Sequence, residues 1–259
     1  MYVVTTPAAP GIFLPAGNPD RWVYGVTLPP DDERSPLVDP ARLAASIRQG
    51  AGLDDLMPNI ERIGPFHSPA QIAENFRVGR TFLAGDAAHR VTPRGGTGMN
   101  IAFQDGYDIG WKLAWTLQGW SGADLLESYE SERRLVAEHN LARSTDPDGS
   151  RRPVVDELNV DLGGRMRHAW LPSTSAPTST LDLLTPGWTL FTGPSATPKL
   201  KPPWPSAAPV TVRPLDELTA RTLGISHSGT QLVRPDGVPV DVGSSMRHLA
   251  GAPQDLVNA

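Results

Sequence analysis

The stretch TFLAGDAAHRVTPRGGTGMN, Thr81 to Asn100, constrains the fold more than any other part of the chain. An apolar run leads straight into Gly85 and Asp86, and a glycine-rich turn then opens a helix. The pattern predicts a strand that delivers Asp86 at its carboxyl end, the edge where ligands collect in α/β folds. Gly85 leaves room for a ligand to lie against the backbone. A carboxylate at that edge accepts hydrogen bonds from hydroxyls, which suits a polyol better than a phosphate. Downstream, Gly95, Gly96, Thr97, Gly98, Met99 and Asn100 bring several amide N–H groups to a helix N-terminus. That end carries partial positive charge and unsatisfied donors, so it attracts a group that is or becomes anionic. Either piece alone is an ordinary turn. Joined about ten residues apart, they describe one ligand with a polyol arm and an electron-accepting ring. FAD has both parts, and its isoalloxazine gains negative charge on reduction. Pro93 would offer the ring a rigid face without donors.

Two helices follow. From Asn100 to Gln118 the polar residues Asn100, Gln104, Asp108, Lys112 and Thr116 recur every four positions as a narrow stripe. The rest of that surface is apolar, which predicts a helix buried on most sides with the stripe facing water. Gly106 and Gly110, one turn apart, would let another backbone pack closely. The next helix is expected to start at Ser121, capped with Asp124, and to bury Leu125, Leu126, Tyr129 and Val136 on one face. Upstream, GIFLP and RWVYGV are short β-type runs around the turn cluster AGNPD, which suits a hairpin. DPARLAASIRQGAG reads as a helix capped by Asp39, with Pro40 at its first position and Gly50 or Gly52 at its end. MPNIERIGPF returns to extended chain. Near the C-terminus, GTQLVRPDGVPVDV reads as strand, turn and strand.

A chain of 259 residues, 39% apolar and 20% charged, has enough core for one large domain or two smaller ones. Its net charge of −5 and scattered basic residues argue against a nucleic-acid surface or a polybasic membrane patch. No apolar run has spanning length, so a cytoplasmic location is expected. The absence of cysteine excludes disulfides, thiolate nucleophiles and cysteine-based metal sites. Proline-rich breaks divide the chain into three zones: 1–78, 79–150 and 151–259.

The run GRTFLAGDAAHRVTPRGGTGMNIAFQDGYDIGWKLAWTLQGW, followed by LLESYESERRLVAEHN, resembles the FAD-dependent aromatic hydroxylases, the class A flavoprotein monooxygenases. The likeness is densest from about Gly79 to Arg143 and strongest to actinobacterial polyketide and phenol hydroxylases. It implies a mixed α/β fold. Residues 1–78 would be the later part of a substrate-binding sheet, 79–150 the flavin-contacting segment, and 151–259 a thioredoxin-like C-terminal domain. It also implies roles: Asp86 and Gly85 at the ribityl chain, Pro93 beside the flavin, and Gly95–Asn100 at its pyrimidine edge. NAD(P)H would reduce the FAD, and O2 would supply one oxygen atom to a phenolic or polyketide ring. The oxygen chemistry belongs to the cofactor, and no catalytic acid or base is named.

The family's opening G-x-G-x-x-G unit, which receives the pyrophosphate, is not in this sequence, nor is its mid-chain Asp-Gly motif. The chain therefore reads as the C-terminal portion of a hydroxylase, with a separate chain supplying that unit or a homodimer as open arrangements. Two other readings remain: a non-redox small-molecule binder or cyclase on the same scaffold, and an inactive fragment. His89 reads as a structural residue of its turn. Arg133 and Arg134 read as a solvated helix face with local ion pairs, and Trp111 and Trp115 as core. Trp22 and Tyr24 are the candidates for lining a substrate pocket. Histidine spacing gives no metal site. The tail from about Pro153 is expected to form a separable, non-catalytic layer, lacking any redox cysteine pair.

Overall fold

The computed structural model describes residues 2–27, 39–66, 69–93, 95–146, 154–171, 176–197 and 206–240. They fall into two compact units, Met1–His67 and Ser68–Ala259.

The first unit holds an antiparallel sheet of β1 (Tyr2–Val4), β2 (Gly11–Pro15) and β3 (Trp22–Gly25), followed by helix α1 (Pro40–Ala51). The expected hairpin is β2–β3, with Pro15 opposite Trp22 and Ile12 opposite Gly25. Phe13 and Tyr24 pack across it with ring centroids 4.6 Å apart. Helix α1 begins and ends on its sequence signals. Asp39 Oδ1 accepts the Ala41 amide at 2.9 Å, Pro40 opens the first turn, and Gly52 closes the last in the left-handed region at φ 67°. Residues 57–66 carry no strand and run as irregular chain.

The second unit opens with four two-residue strands: β4 (Gln71–Ile72), β5 (Arg77–Val78), β6 (Thr81–Phe82) and β7 (His89–Arg90). They pair antiparallel as β4–β7 and β5–β6. The strand expected to end at Asp86 therefore stops at Phe82. Asp86 lies four residues on, in a 3-10 turn over Gly85–Ala87. A strand persists only where a neighbour takes its backbone hydrogen bonds. Among the described residues β6 has one partner, which turns away after two pairs.

Helix α2 (Gly98–Leu117) and helix α3 (Ser128–Thr145) form the centre of this unit. The stretch before α3 is a 3-10 turn, Ala123–Glu127, entered from Gly122 without a side-chain cap, so the expected cap at Ser121 is not made. Leu125, Leu126, Tyr129 and Val136 are buried as expected. Helix α2 departs from its reading. Its inward positions are Ile101, Asp105, Asp108, Trp111, Lys112 and Trp115, spaced three and four apart. Two members of the supposed water-facing stripe, Asp108 and Lys112, thus point inward. Met99, Phe103, Tyr107 and Leu117 are exposed instead. Nothing among the described residues lies within 4 Å of a Cβ added at Gly106 or Gly110, so no backbone packs there.

Helix α4 (Val154–Asp161) follows, then strands β8 (Trp170–Leu171) and β9 (Thr178–Ser179). The tail sheet comprises β10 (Trp188–Thr192), β11 (Val210–Pro214), β12 (Thr230–Val233) and β13 (Pro239–Val240), with helix α5 (Glu217–Thr222) between β11 and β12. Its order is β11-β10-β12-β13: β10 and β11 run parallel, β10 and β12 antiparallel, and β12–β13 is the expected strand–turn–strand. The alternation of β10 sets two cores. Trp188 and Leu190 face Trp111, Trp115 and Leu125. Phe191 faces Met166, Leu215, Ala220 and Ile225.

The tail is therefore not a separable layer. Trp115 meets Trp111 and Trp188 edge-on, each at 5.0 Å, and its Nε1 donates to the Pro186 carbonyl at 2.8 Å. Burying two indoles, about 200 Å² each at about 25 cal/mol per Å², is worth about 10 kcal/mol before chain entropy. Cleaving the tail from α2 would forfeit much of that.

Candidate functional site

Three elements meet at the first turns of α2. The 3-10 turn carries Gly85 in the left-handed region at φ 58°, and a Cβ there would meet the Ala102 Cβ at 3.1 Å. The loop before α2 passes equally close, since a Cβ on Gly98 would meet Val91 Cγ2 at 3.2 Å. Positions 98 and 102 lie one turn apart on the same helix face, so the two halves of the motif flank one end of α2. Gly95 and Gly96, at φ 84° and 65°, make the turn into it, and the Gly96 amide donates to the Pro93 carbonyl at 3.1 Å. Thr92 ties the loop to the end of α3, its Oγ1 donating to the Ser144 carbonyl at 2.7 Å.

The predicted cofactor residues share an accessible surface. Asp86, Pro93, Gly95, Gly96, Met99 and Asn100 are exposed, Thr97 and Gly98 half-buried, and Gly85 alone is buried. Asp86 has no hydrogen-bond partner among the described residues, and the Thr97 side chain does not cap α2. A free carboxylate thus stands beside the unsatisfied first-turn amides of a twenty-residue helix. That pairing fits the ribityl arm and the ring of a flavin.

Beneath this surface lies a buried carboxylate that the sequence reading passed over. Asp105, fully buried on α2, accepts the Gly85 amide on Oδ2 at 2.9 Å and Arg133 Nε on Oδ1 at 2.7 Å. His89 Nε2 lies 2.6 Å from Oδ2, and because an ionised carboxylate only accepts, Nε2 carries the proton. Burial pushes the Asp105 carboxyl up, but hydrogen bonds from His89 and Arg133, the charge of Arg133 and the Gly85 amide outweigh it. The net effect holds Asp105 below its ordinary value. His89 is structural, as expected. Arg133 is not on a solvated face: it is buried, its Nη2 also reaching the Ile101 carbonyl at 3.3 Å. Arg134 does form the local pair with Glu130, at 2.6 Å, and also grips the Ala73 and Glu74 carbonyls. The signal for Asp105 was an acid on the inward spacing of α2, facing an arginine of α3.

One turn further along α2 stands a second network. Asp108 and Glu132 both contact Lys112 Nζ, at 2.8 and 3.2 Å. Arg234 of the tail grips both oxygens of Glu132, at 3.0 and 2.7 Å, bonds Asp236, and lies over the Trp111 ring at 5.2 Å. Burial, with Glu132 and Asp236 nearby, pushes Asp108 up to about 6 despite Lys112. Glu132 is half-buried, and burial pushes it up, yet Arg234 and Lys112 hold it at about 2. The three carboxylates are close enough to share an ion, within 4.8 Å, but Lys112 and Arg234 already answer them.

A cavity of about 1140 Å³ runs along the outer side of α2, lined by Phe103, Tyr107, Trp111, Glu132, Leu135 and Arg234 among others. None of the predicted cofactor residues lines it. Of the substrate candidates, Tyr24 is half-buried with its hydroxyl 3.0 Å from Ser46 Oγ, whereas Trp22 is 48% exposed beside Tyr2.

Comparison with known proteins bears on the same residues. A family model described as "FAD binding domain" matches residues 1–144. Aklavinone 12-hydroxylase RdmE of Streptomyces purpurascens is 31% identical over 92% of this chain and 54% of that protein. Tetracenomycin A2 monooxygenase-dioxygenase of Streptomyces glaucescens is 29% identical over 91% of this chain and 50% of that protein. Among solved structures, a ternary complex of aklavinone-11 hydroxylase with FAD and aklavinone superposes with a TM-score of 0.71 at 29% identity, covering 92% of this chain and 54% of that one. The chain thus spans about half the length of these relatives. With more than half of its residues matched by the family model, the chain belongs to the FAD binding domain family.

Proposed function

We propose that this chain supplies the ribityl- and ring-facing side of an FAD-dependent hydroxylase acting on a polycyclic aromatic polyketide. One observation carries the reading: Asp86, exposed and without a partner among the described residues, stands on a fixed turn that packs on the uncapped N-terminal part of α2. Asp86 would accept the ribityl hydroxyls. The first-turn amides of Gly98, Met99 and Asn100 would stabilise negative charge at the pyrimidine edge, and Pro93 would lie against the ring. When bound, FAD reduced by NAD(P)H supplies the activation of O2. The substrate class rests on the relatives, an aklavinone 12-hydroxylase and a tetracenomycin A2 monooxygenase-dioxygenase.

Residues 1–78 then serve as the substrate sheet, with Trp22 its exposed aromatic and Tyr24 behind it, and 79–150 as the flavin segment. We read 151–259 as thioredoxin-like on its mixed sheet, a parallel pair joined to an antiparallel hairpin. The adenosine half of FAD needs a glycine-rich helix start to receive its pyrophosphate. A G-x-G-x-x-G is not among these 259 residues. No described helix is long and apolar enough to cross a membrane. We infer a cytoplasmic location, where an NAD(P)H-dependent reaction would find its reductant.

Fluorescence titration of the full chain with riboflavin and with FAD tests the reading. Both should bind with similar affinity, since only the shared half has a receiving surface. Asp86→Ala should weaken each by about tenfold or more, the loss of hydrogen bonds to a charged acceptor. No binding of either flavin, or equal affinity in the variant, refutes it.

A further inference from the structure

We propose that Asp105 is the positioning residue of the flavin-binding turn, fixing Asp86 from below through the Gly85 amide and through His89. The inference rests on the flavin reading above and names what holds its central residue in place.

Asp86 does not inherit its position from a strand, because β6 ends at Phe82. A short 3-10 turn has little stiffness of its own. What fixes it is anchorage on both sides. Before Asp86, the Gly85 amide donates to Asp105 Oδ2; after it, His89 Nε2 meets the same oxygen. The Ala88 amide closes the turn on the Gly85 carbonyl at 2.9 Å, and the Ala73 amide holds Ala88 from the other side at 2.7 Å. Arg133 locks the second Asp105 oxygen, so the carboxylate cannot rotate to release either donor. Gly85 must be glycine twice over: its φ of 58° disfavours a side chain, and Ala102 occupies the space a Cβ would take. The turn is thereby pressed against α2, the helix whose first amides face the ring. A charge-assisted carboxylate at the centre of three donors is stronger and more directional than a neutral acceptor. Asp105 would thus set the relation between the ribityl acceptor and the helix end without touching the ligand.

Asp105→Asn in the full chain keeps the shape and replaces one acceptor oxygen with a donor. It should weaken riboflavin binding by at least tenfold while far-UV circular dichroism stays native. Because Asp105 acts through the turn, its effect should vanish once Asp86 is gone: Asp86→Ala/Asp105→Asn should bind riboflavin no more weakly than Asp86→Ala alone. Multiplying effects would show a general loss of structure and overturn the proposal. A second reading stands apart from flavin affinity. Amide hydrogen exchange at Gly85 should accelerate at least tenfold in Asp105→Asn relative to amides in the tail sheet. If Asp105→Asn fails to fold, His89→Gln, which leaves the carboxylate intact, should show the same local acceleration in smaller degree. Unchanged Gly85 protection in the folded variants would overturn the proposal. If no flavin binds the wild-type chain but the exchange result holds, the functional reading fails and the anchorage stands.

Discussion

Asp105 and Asp108 stand three residues apart on one helix, both buried, and titrate in opposite directions. Burial pushes both carboxyls up. Asp105 meets an arginine, a histidine and a backbone amide with no second acid among them, and those donors hold it down. Asp108 shares Lys112 with Glu132 and lies near Asp236, so its network has three carboxylates for two cations. One negative charge too many falls on the most buried acid. Donor supply, not depth, decides the sign. The ionised network sits under the candidate flavin turn, while the proton-binding one joins α2 and α3 to the tail.

Removing the cation from the first network should break the contrast and give the largest effect. Arg133→Met strands Asp105 as an unpaired buried charge and should cost about 3–5 kcal/mol in urea unfolding. The pH slope should also reverse. In the wild type the depressed Asp105 contributes stability that is present above its unfolded value of 3.8 and lost as pH falls. In Arg133→Met its carboxyl should rise, so stability would grow on acidification. A loss under about 1 kcal/mol with an unchanged slope would mean that His89 and Gly85 suffice.

The part of this molecule legible in its sequence was the part written in local signals. Asp39, Pro40 and Gly52 bound α1 because caps act within one turn of chain. The turns beside Gly95 and Gly237 need glycine for the same reason. The errors arose where a partner far along the chain decides. Asp108 and Lys112 looked like a solvated stripe because their neutralising partners, Glu132 and Arg234, lie on α3 and the tail. Arg133 looked exposed because its partner is on α2. The strand before Asp86 was shortened because strand length depends on neighbours the local pattern does not contain. The close approaches of Gly85 to Ala102 and of Gly98 to Val91 stayed legible because each is a local requirement.

The second network offers an intermediate effect and a separate pH window. Asp108 is raised from 3.8 to about 6, so its stabilising form is the protonated one. That contribution is present below about pH 4 and lost as pH rises through about 6. Asp108→Asn should therefore match the wild type near pH 4 and exceed it by about 3 kcal/mol at pH 7. Glu132, lowered from 4.5 to about 2, works the other way: its contribution is present above 4.5 and lost as pH falls towards 2. The two windows overlap only between about pH 3.8 and 4.5, so thermal melts from pH 2 to pH 8 separate them. A variant less stable than wild type at pH 7 would show that the ionised Asp108–Lys112 pair outweighs its desolvation.

The smallest effect belongs to the glycines of the same helix, in the groove that Glu132 and Arg234 also line. Gly110 lies mid-helix and exposed, with nothing among the described residues within 4 Å of an added Cβ. Its backbone is not in the left-handed region. Alanine there removes unfolded-state entropy and meets no clash, so Gly110→Ala should stabilise the chain by about 0.5–1 kcal/mol. The gain should be independent of pH, because no titratable group lies against the position. Guanidinium melts of the wild type, Gly110→Ala and Gly106→Ala at two protein concentrations give the answer. A loss of stability would mean that a second backbone approaches this face as closely as the glycine spacing first suggested. If that loss deepens with protein concentration, the approaching backbone is another copy of the chain, and the groove beside Phe103 and Tyr107 is its seat.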